Sequence, residues 1–129
     1  MAARLLRYHH ATLTIPRGGE DAARAFYGGV LGLREIAKPP GLRPGGLWWE
    51  NGAGSLQLHL TIQDDIDRAS DRAHLAFLTD DLAEIRARLA AAGAPIAEAI
   101  APIPGHARFE CRDPFGNRLE FLQVARAAG

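Results

Sequence analysis

Apolar and polar residues alternate over several short stretches of the chain, and two other stretches have helical spacing. Alternation over residues 9–15, which include β-branched Thr and Ile, predicts a strand. A helix is predicted over residues 20–32, because alanines are frequent there and Phe26 and Val30 share a face. Three more strands are then predicted, at residues 33–38, 47–51 and 55–62.

The same order of elements starts again after the polar segment 63–72, which is predicted to be a linker. A strand at 73–79 is followed by a helix at 82–93, whose start either Asp80 or Asp81 can cap. Strands are then predicted at residues 95–100, 107–112 and 117–124. The chain is therefore predicted to contain an internal βαβββ repeat.

This repeat predicts a single α+β domain over residues 1–129 with mixed sheets. Module 1 covers about residues 5–62, the linker covers 63–72, and module 2 covers 73–124. Nearly the same number of residues separates His10 from Gln57 and His74 from Glu120. Two modules related in this way can bring their sheets together and enclose a cleft.

Polar residues share one face of four predicted strands, because side chains alternate across a strand. The opposite face is apolar and is expected to pack against the helices. Imidazole nitrogens and carboxylate oxygens are common ligands of divalent metals, so the polar face is a candidate metal site. Its members are His10, Gln57, His59, His74 and Glu120.

Another stripe of charge lies along the strand predicted at 107–112. Arg108, Glu110 and Arg112 share one of its faces, and Cys111 lies on the other. The stripe is predicted to face solvent or a second subunit.

Composition narrows the class of protein. Apolar residues make up 47% and charged residues 23%, as in ordinary globular domains. The 15 basic and 15 acidic residues balance, which argues against nucleic acid or an anionic membrane as a partner. No apolar run is long enough to cross a bilayer, and the start lacks the pattern of a signal peptide. The single cysteine, Cys111, fits a reducing cytoplasm, so a cytoplasmic location is expected.

Three motifs resemble the vicinal oxygen chelate superfamily, also called the glyoxalase, bleomycin-resistance and extradiol-dioxygenase superfamily. They are AFYGGVLGL (25–33), AHLAFLTDDL (73–82) and DPFGNRLEF (113–121). The resemblance covers nearly the whole chain. It implies paired βαβββ modules that form a metal-binding cup. It also implies a homodimer, formed either by side-by-side cups or by exchange of modules.

The resemblance assigns metal ligands to particular residues. His10 matches the ligand position of the first strand, His74 that of the fifth, and Glu120 that of the eighth. The fourth-strand position is used by only some members. Gln57 matches it by repeat spacing and His59 by chemistry, and both stay open. The cation would be Zn, Ni, Co, Mn or Fe.

The function implied is a metal-dependent, glyoxalase I-like lyase or isomerase acting on a small substrate with vicinal oxygens. The metal would stabilise an enediolate, and Glu120, or a metal-bound water, would be the catalytic base. One alternative is an Fe-dependent extradiol-type dioxygenase that uses the same two histidines and carboxylate. Another is a non-enzymatic drug-binding protein of the bleomycin-resistance kind, in which His10 and Glu120 would form a charged pair.

Overall fold

The computed structural model describes residues 2–125, which form two four-stranded mixed sheets. The strand order is β1-β4-β3-β2 in the first sheet and β5-β8-β7-β6 in the second. In each sheet the first strand of the module pairs in parallel with the last, and the other pairs are antiparallel. The predicted α+β class and the repeat of two modules are confirmed. The strands are β1 (Ala11–Ile15), β2 (Arg34–Ile36), β3 (Leu47–Glu50), β4 (Gln57–Ile62), β5 (His74–Leu78), β6 (Ile96–Glu98), β7 (His106–Arg112) and β8 (Arg118–Val124).

The helix of module 1 changes its winding part-way. Helix α1 (Glu20–Ala23) continues as a π-helix over Arg24–Val30, in which the Leu31 amide donates to the Phe26 carbonyl at 2.9 Å. Gly28 lies in this stretch against Trp49, and a Cβ added at Gly28 would come within 3.1 Å of the indole. The absence of a side chain therefore lets the helix lie directly on β3.

The helix of module 2 begins at one of the two predicted caps. In α2 (Leu82–Ala91) the Asp81 carboxylate accepts a hydrogen bond from the Glu84 amide at 3.0 Å, so Asp81 is the N-cap. Leu82 and Leu89 are buried beneath it. Within residues 2–125, neither this helix nor any other is long and apolar enough to cross a membrane. The cytoplasmic location stays a prediction.

The hydrophobic core lies between the helices and the apolar faces of the sheets. It draws on both modules, and each strand at the centre of a sheet contributes alternate residues to it. The largest fully buried side chains are Trp49, Tyr27, Phe109, Ile15, Leu58, Leu60, Leu89 and Leu119.

A buried carboxylate joins the two modules. Asp113, in the turn between β7 and β8, accepts hydrogen bonds from the Tyr27 hydroxyl at 2.5 Å and the Asn117 side-chain amide at 2.8 Å. Its other oxygen accepts from the backbone amides of Phe115 and Asn117. The Asn117 side chain also donates to the carbonyl of Thr14 in β1. Burial, and next the Asp113 charge, raise the pKa of Tyr27 well above its usual value, so the hydroxyl remains a donor.

We expect Tyr27→Phe to lower the free energy of unfolding by about 1.5–3 kcal/mol, because Asp113 loses one donor to its buried charge. Urea denaturation at pH 7 measures the change. Tyr8→Phe is the matched control, since Tyr8 is fully exposed, and it should leave the midpoint unchanged. Equal stability of the two variants would contradict the assignment.

Candidate functional site

His59 is the centre of an aromatic stack on the polar face of module 1. Its ring stacks on Trp48, with centroids 3.8 Å apart and planes 2° apart. On its other side it stacks on His10, with centroids 3.9 Å apart. Gln57 completes the cluster, because its side-chain oxygen lies 2.7 Å from His59 Nε2. The two candidates for the fourth-strand ligand position, His59 and Gln57, thus contact each other directly beside the Trp48–His59–His10 stack.

The surroundings of His59 keep its ring uncharged at neutral pH. Burial lowers the pKa of His59 to about 4, and the rings of His10 and His9 and the Lys38 ammonium act in the same direction. An amide oxygen only accepts hydrogen bonds, so Nε2 of His59 is the protonated ring nitrogen and donates a hydrogen bond to Gln57. His59 is therefore a neutral imidazole stacked face to face with an indole.

Glu120 is the centre of the polar face of module 2. It is 4% exposed, and both of its carboxylate oxygens have partners. Oε1 accepts from Arg108 Nη1 at 2.8 Å, and Oε2 lies 3.1 Å from His74 Nε2. The other ring nitrogen of His74 lies 3.1 Å from the carbonyl oxygen of Arg72. A carboxylate buried in an apolar strand is thus neutralised within its own module.

A second ion pair extends this arrangement. Glu110 lies directly across from Glu120 in the pairing of β7 with β8. Arg118 donates to both oxygens of Glu110, at 2.9 and 2.6 Å, and this contact lowers the pKa of Glu110. Arg108 lies 3.9 Å from Glu110 as well as 2.8 Å from Glu120. The four side chains and His74 form what we call the module 2 charge network.

The prediction that Arg108, Glu110 and Arg112 form a solvent-facing stripe is wrong, and their contact with a second subunit stays a prediction. The side chains of Arg108 and Glu110 are only 15% and 20% exposed, because they lie on the same face of the sheet as Glu120. Arg112 donates to the backbone carbonyls of Arg68 and Gly116. The register of the β7–β8 hairpin was the missing signal, since it decides which charges face one another.

A cavity of about 710 Å³ lies between the two modules. Its walls come from the segment before β1, the connection between β3 and β4, and strand β5. His10 and His74 both line it, together with Tyr8, Gln57 and Leu78. This volume falls in the range of pockets that bind drug-sized ligands.

The five predicted site residues fall into two groups. His10, His59 and Gln57 lie together in module 1, and His74 and Glu120 lie together in module 2. The cavity relates the two groups, because His10 and Gln57 of module 1 and His74 of module 2 all line it. Among residues 2–125, no three His, Cys, Asp or Glu side chains converge to form a group that can hold a metal ion. The donors present in one chain therefore do not fit a divalent metal, and the ligand assignment stays a prediction.

Comparison with known proteins assigns the family. The model of the Glyoxalase/Bleomycin resistance protein/Dioxygenase superfamily matches residues 7–121. The chain belongs to this superfamily. The resemblance predicted from the three motifs is confirmed, and the matched residues include every predicted ligand. No curated protein matches the chain significantly.

Solved structures of this superfamily share the fold. A protein assigned to the glyoxalase family from Bacillus anthracis has a TM-score of 0.85 and 34% identity, and the match covers 96% of this chain and 99% of that one. TnmS3, an antibiotic-binding protein from Streptomyces sp. CB03234, has a TM-score of 0.71 and 23% identity over 95% and 100% of the chains. The fosfomycin resistance protein FosX from Listeria monocytogenes has a TM-score of 0.70 and 16% identity, and the match covers 97% of this chain and 96% of that one. The last two likenesses concern the fold alone.

The neutral state of His59 makes stability depend on pH. The unfolded chain binds a proton on this residue near pH 6.5 and the folded chain only near pH 4, so acid favours unfolding in this window. We expect the free energy of unfolding to fall by up to about 3 kcal/mol between pH 6.5 and 4. Urea denaturation at several pH values measures the slope. His59→Gln should flatten it, and an unchanged slope in that variant would contradict a neutral buried His59.

Proposed function

We propose that this superfamily member binds a planar small molecule, neutral or anionic, in the cavity between its modules and without the help of a metal. The observation that carries the proposal is the cavity of about 710 Å³ and the nature of its walls. Pockets of this size usually combine apolar and aromatic walls with a few polar groups that orient the ligand.

The walls favour a flat ligand. Five residues with planar rings line the cavity, and apolar Leu75 and Leu78 lie beside them. Ring side chains bury a large area at a small entropic cost and stack on planar ligands. The five are Tyr8, His9, His10, His74 and Phe77.

The charges disfavour a cationic ligand. Among residues 2–125, those that line the cavity include no Asp, Glu, Lys or Arg. Its histidines can donate N–H groups to an acceptor and carry only positive charge when they are ionised. The negative charge of Glu120 beside His74 is already compensated by Arg108. A neutral or anionic ligand therefore meets no negatively charged side chain that would repel it in the cavity.

The comparisons support such a role. TnmS3 is an antibiotic-binding protein with this fold, and the superfamily is named in part for bleomycin resistance proteins. Small-molecule binding is thus a use to which this fold is put.

We expect the anionic dye 8-anilinonaphthalene-1-sulfonate to bind more tightly than cationic proflavine in fluorescence titrations. Leu78→Asp should weaken binding of the anionic dye by about tenfold or more, because it adds a negative charge to the wall. Val124→Asp is the matched control, since Val124 is exposed to a similar extent (59% against 68%) but lies outside the cavity.

Both aspartate variants should keep the urea midpoint of the wild type, because neither residue is buried. Saturable binding that only Leu78→Asp weakens would support the proposal. Equal weakening by both variants, or tighter binding of proflavine, would overturn it.

A second candidate is the metal-dependent, glyoxalase I-like lyase. One contact favours it: His74 Nε2 and Glu120 Oε2 lie 3.1 Å apart, and the other nitrogen of the ring bonds to a backbone carbonyl, as it does in many metal-bound histidines. This candidate needs a further donor, either His10 or the fourth-strand residue His59 or Gln57. A homodimer is the assembly in which a second copy could bring that donor to His74 and Glu120.

Turnover decides between the two candidates. The binding proposal predicts no isomerisation of the methylglyoxal–glutathione hemithioacetal, followed by absorbance, with added Zn²⁺, Ni²⁺ or Co²⁺. Metal-dependent turnover that Glu120→Gln abolishes and Leu78→Asp spares would establish the lyase in place of the binding protein.

A further inference from the structure

The guanidinium of Arg108 neutralises Oε1 of Glu120, a buried oxygen that would otherwise need another cation. We propose that its guanidinium is the built-in counter-ion of this site, takes the place of a divalent metal beside Glu120, and keeps metals from binding there. This inference goes beyond the proposed ligand binding and rests on the contacts of module 2 alone.

Arg108 is held in place from several directions. Nη1 donates to Glu120 Oε1 at 2.8 Å, and Nη2 donates to the carbonyl of Ala101 in the loop before β7. Nη1 also lies 3.9 Å from an oxygen of Glu110. The side chain is only 15% exposed, so its charge is largely withdrawn from water and depends on these partners. The guanidinium is therefore a fixed part of the site.

The carboxylates and guanidiniums of the module 2 charge network balance without a metal. Two carboxylates, Glu110 and Glu120, face two guanidiniums, Arg108 and Arg118. A divalent cation added beside Glu120 would leave two excess positive charges at a mostly buried place, close to Arg108. Uncompensated charge in such a place is strongly unfavourable. Metal binding would therefore require the departure of Arg108 from Glu120.

Removal of Arg108 would leave a set of donors. Glu120 Oε1 would lose its partner, and Oε2 already lies 3.1 Å from the imidazole nitrogen of His74. Glu110 lies directly across in the β7–β8 register. Two carboxylates and an imidazole are a suitable ligand set for first-row divalent metals. Among residues 2–125 these three side chains do not converge as a metal-binding group, so the departure of Arg108 would have to let them draw together around an ion.

The test uses Co²⁺ as the probe, because its visible absorption reports coordination by protein ligands. Wild type, Arg108→Met, Arg118→Met and the double variant Arg108→Met/Glu120→Gln are freed of metal with a chelator and titrated by calorimetry and absorbance. We expect Arg108→Met to bind Co²⁺ about tenfold or more tightly than wild type. Arg118→Met, which removes an equivalent charge bonded to Glu110, and the double variant should resemble wild type.

Circular dichroism and the urea midpoint confirm that each variant is folded. If Arg108→Met does not fold, Arg108→Gln, which keeps a neutral polar group at this position, takes the same test. The single variant Glu120→Gln is titrated as well, and the proposal is overturned by saturable Co²⁺ binding to wild type that this variant abolishes. It is also overturned if the folded Arg108 variant gains no affinity. Neither result alters the dye titrations, so the binding of a ligand in the cavity stands or falls separately.

Discussion

The buried carboxylate of Asp113 is the constraint on which the arrangement of the two modules depends. A charge withdrawn from water needs several donors, and the β7–β8 turn itself supplies three of them. The fourth is the hydroxyl of Tyr27, which comes from the helix of the other module. Asn117 adds a bond to β1. These bonds tie the β7–β8 turn to the helix and the first strand of module 1, and so help to fix the position of the sheets on either side of the cavity.

The same physical demand recurs at Glu120 and is met differently. Asp113 is satisfied by neutral donors, whereas Glu120 is satisfied by a guanidinium and an imidazole. Both residues belong to the DPFGNRLEF motif, yet one fixes the fold and the other shapes the site. The motif thus combines a structural part and a chemical part a few residues apart on one hairpin.

Alternation along each strand was enough to predict the two modules and the common face of the polar residues. It could not predict the partners of those residues, because contacts across strands depend on register. Counting outward from the turn at 113–117 pairs Glu110 with Glu120, a step that the strand pattern alone does not supply. The stacking of His59 on Trp48 likewise depends on the β3–β4 register. How the modules approach each other depends on Tyr27 and Asp113, which are far apart in sequence.

The aromatic stack gives the molecule an optical reporter of its own. The two tryptophans of the protein are adjacent in sequence but have different surroundings. Trp49 is in the core, and Trp48 lies flat on the neutral imidazole of His59. His59 is linked in turn to His10 and Gln57 at the wall of the cavity. Since an imidazolium quenches indole emission more strongly than a neutral ring does, a change of charge or position at this wall alters the light emitted by Trp48, with Trp49 as a constant background.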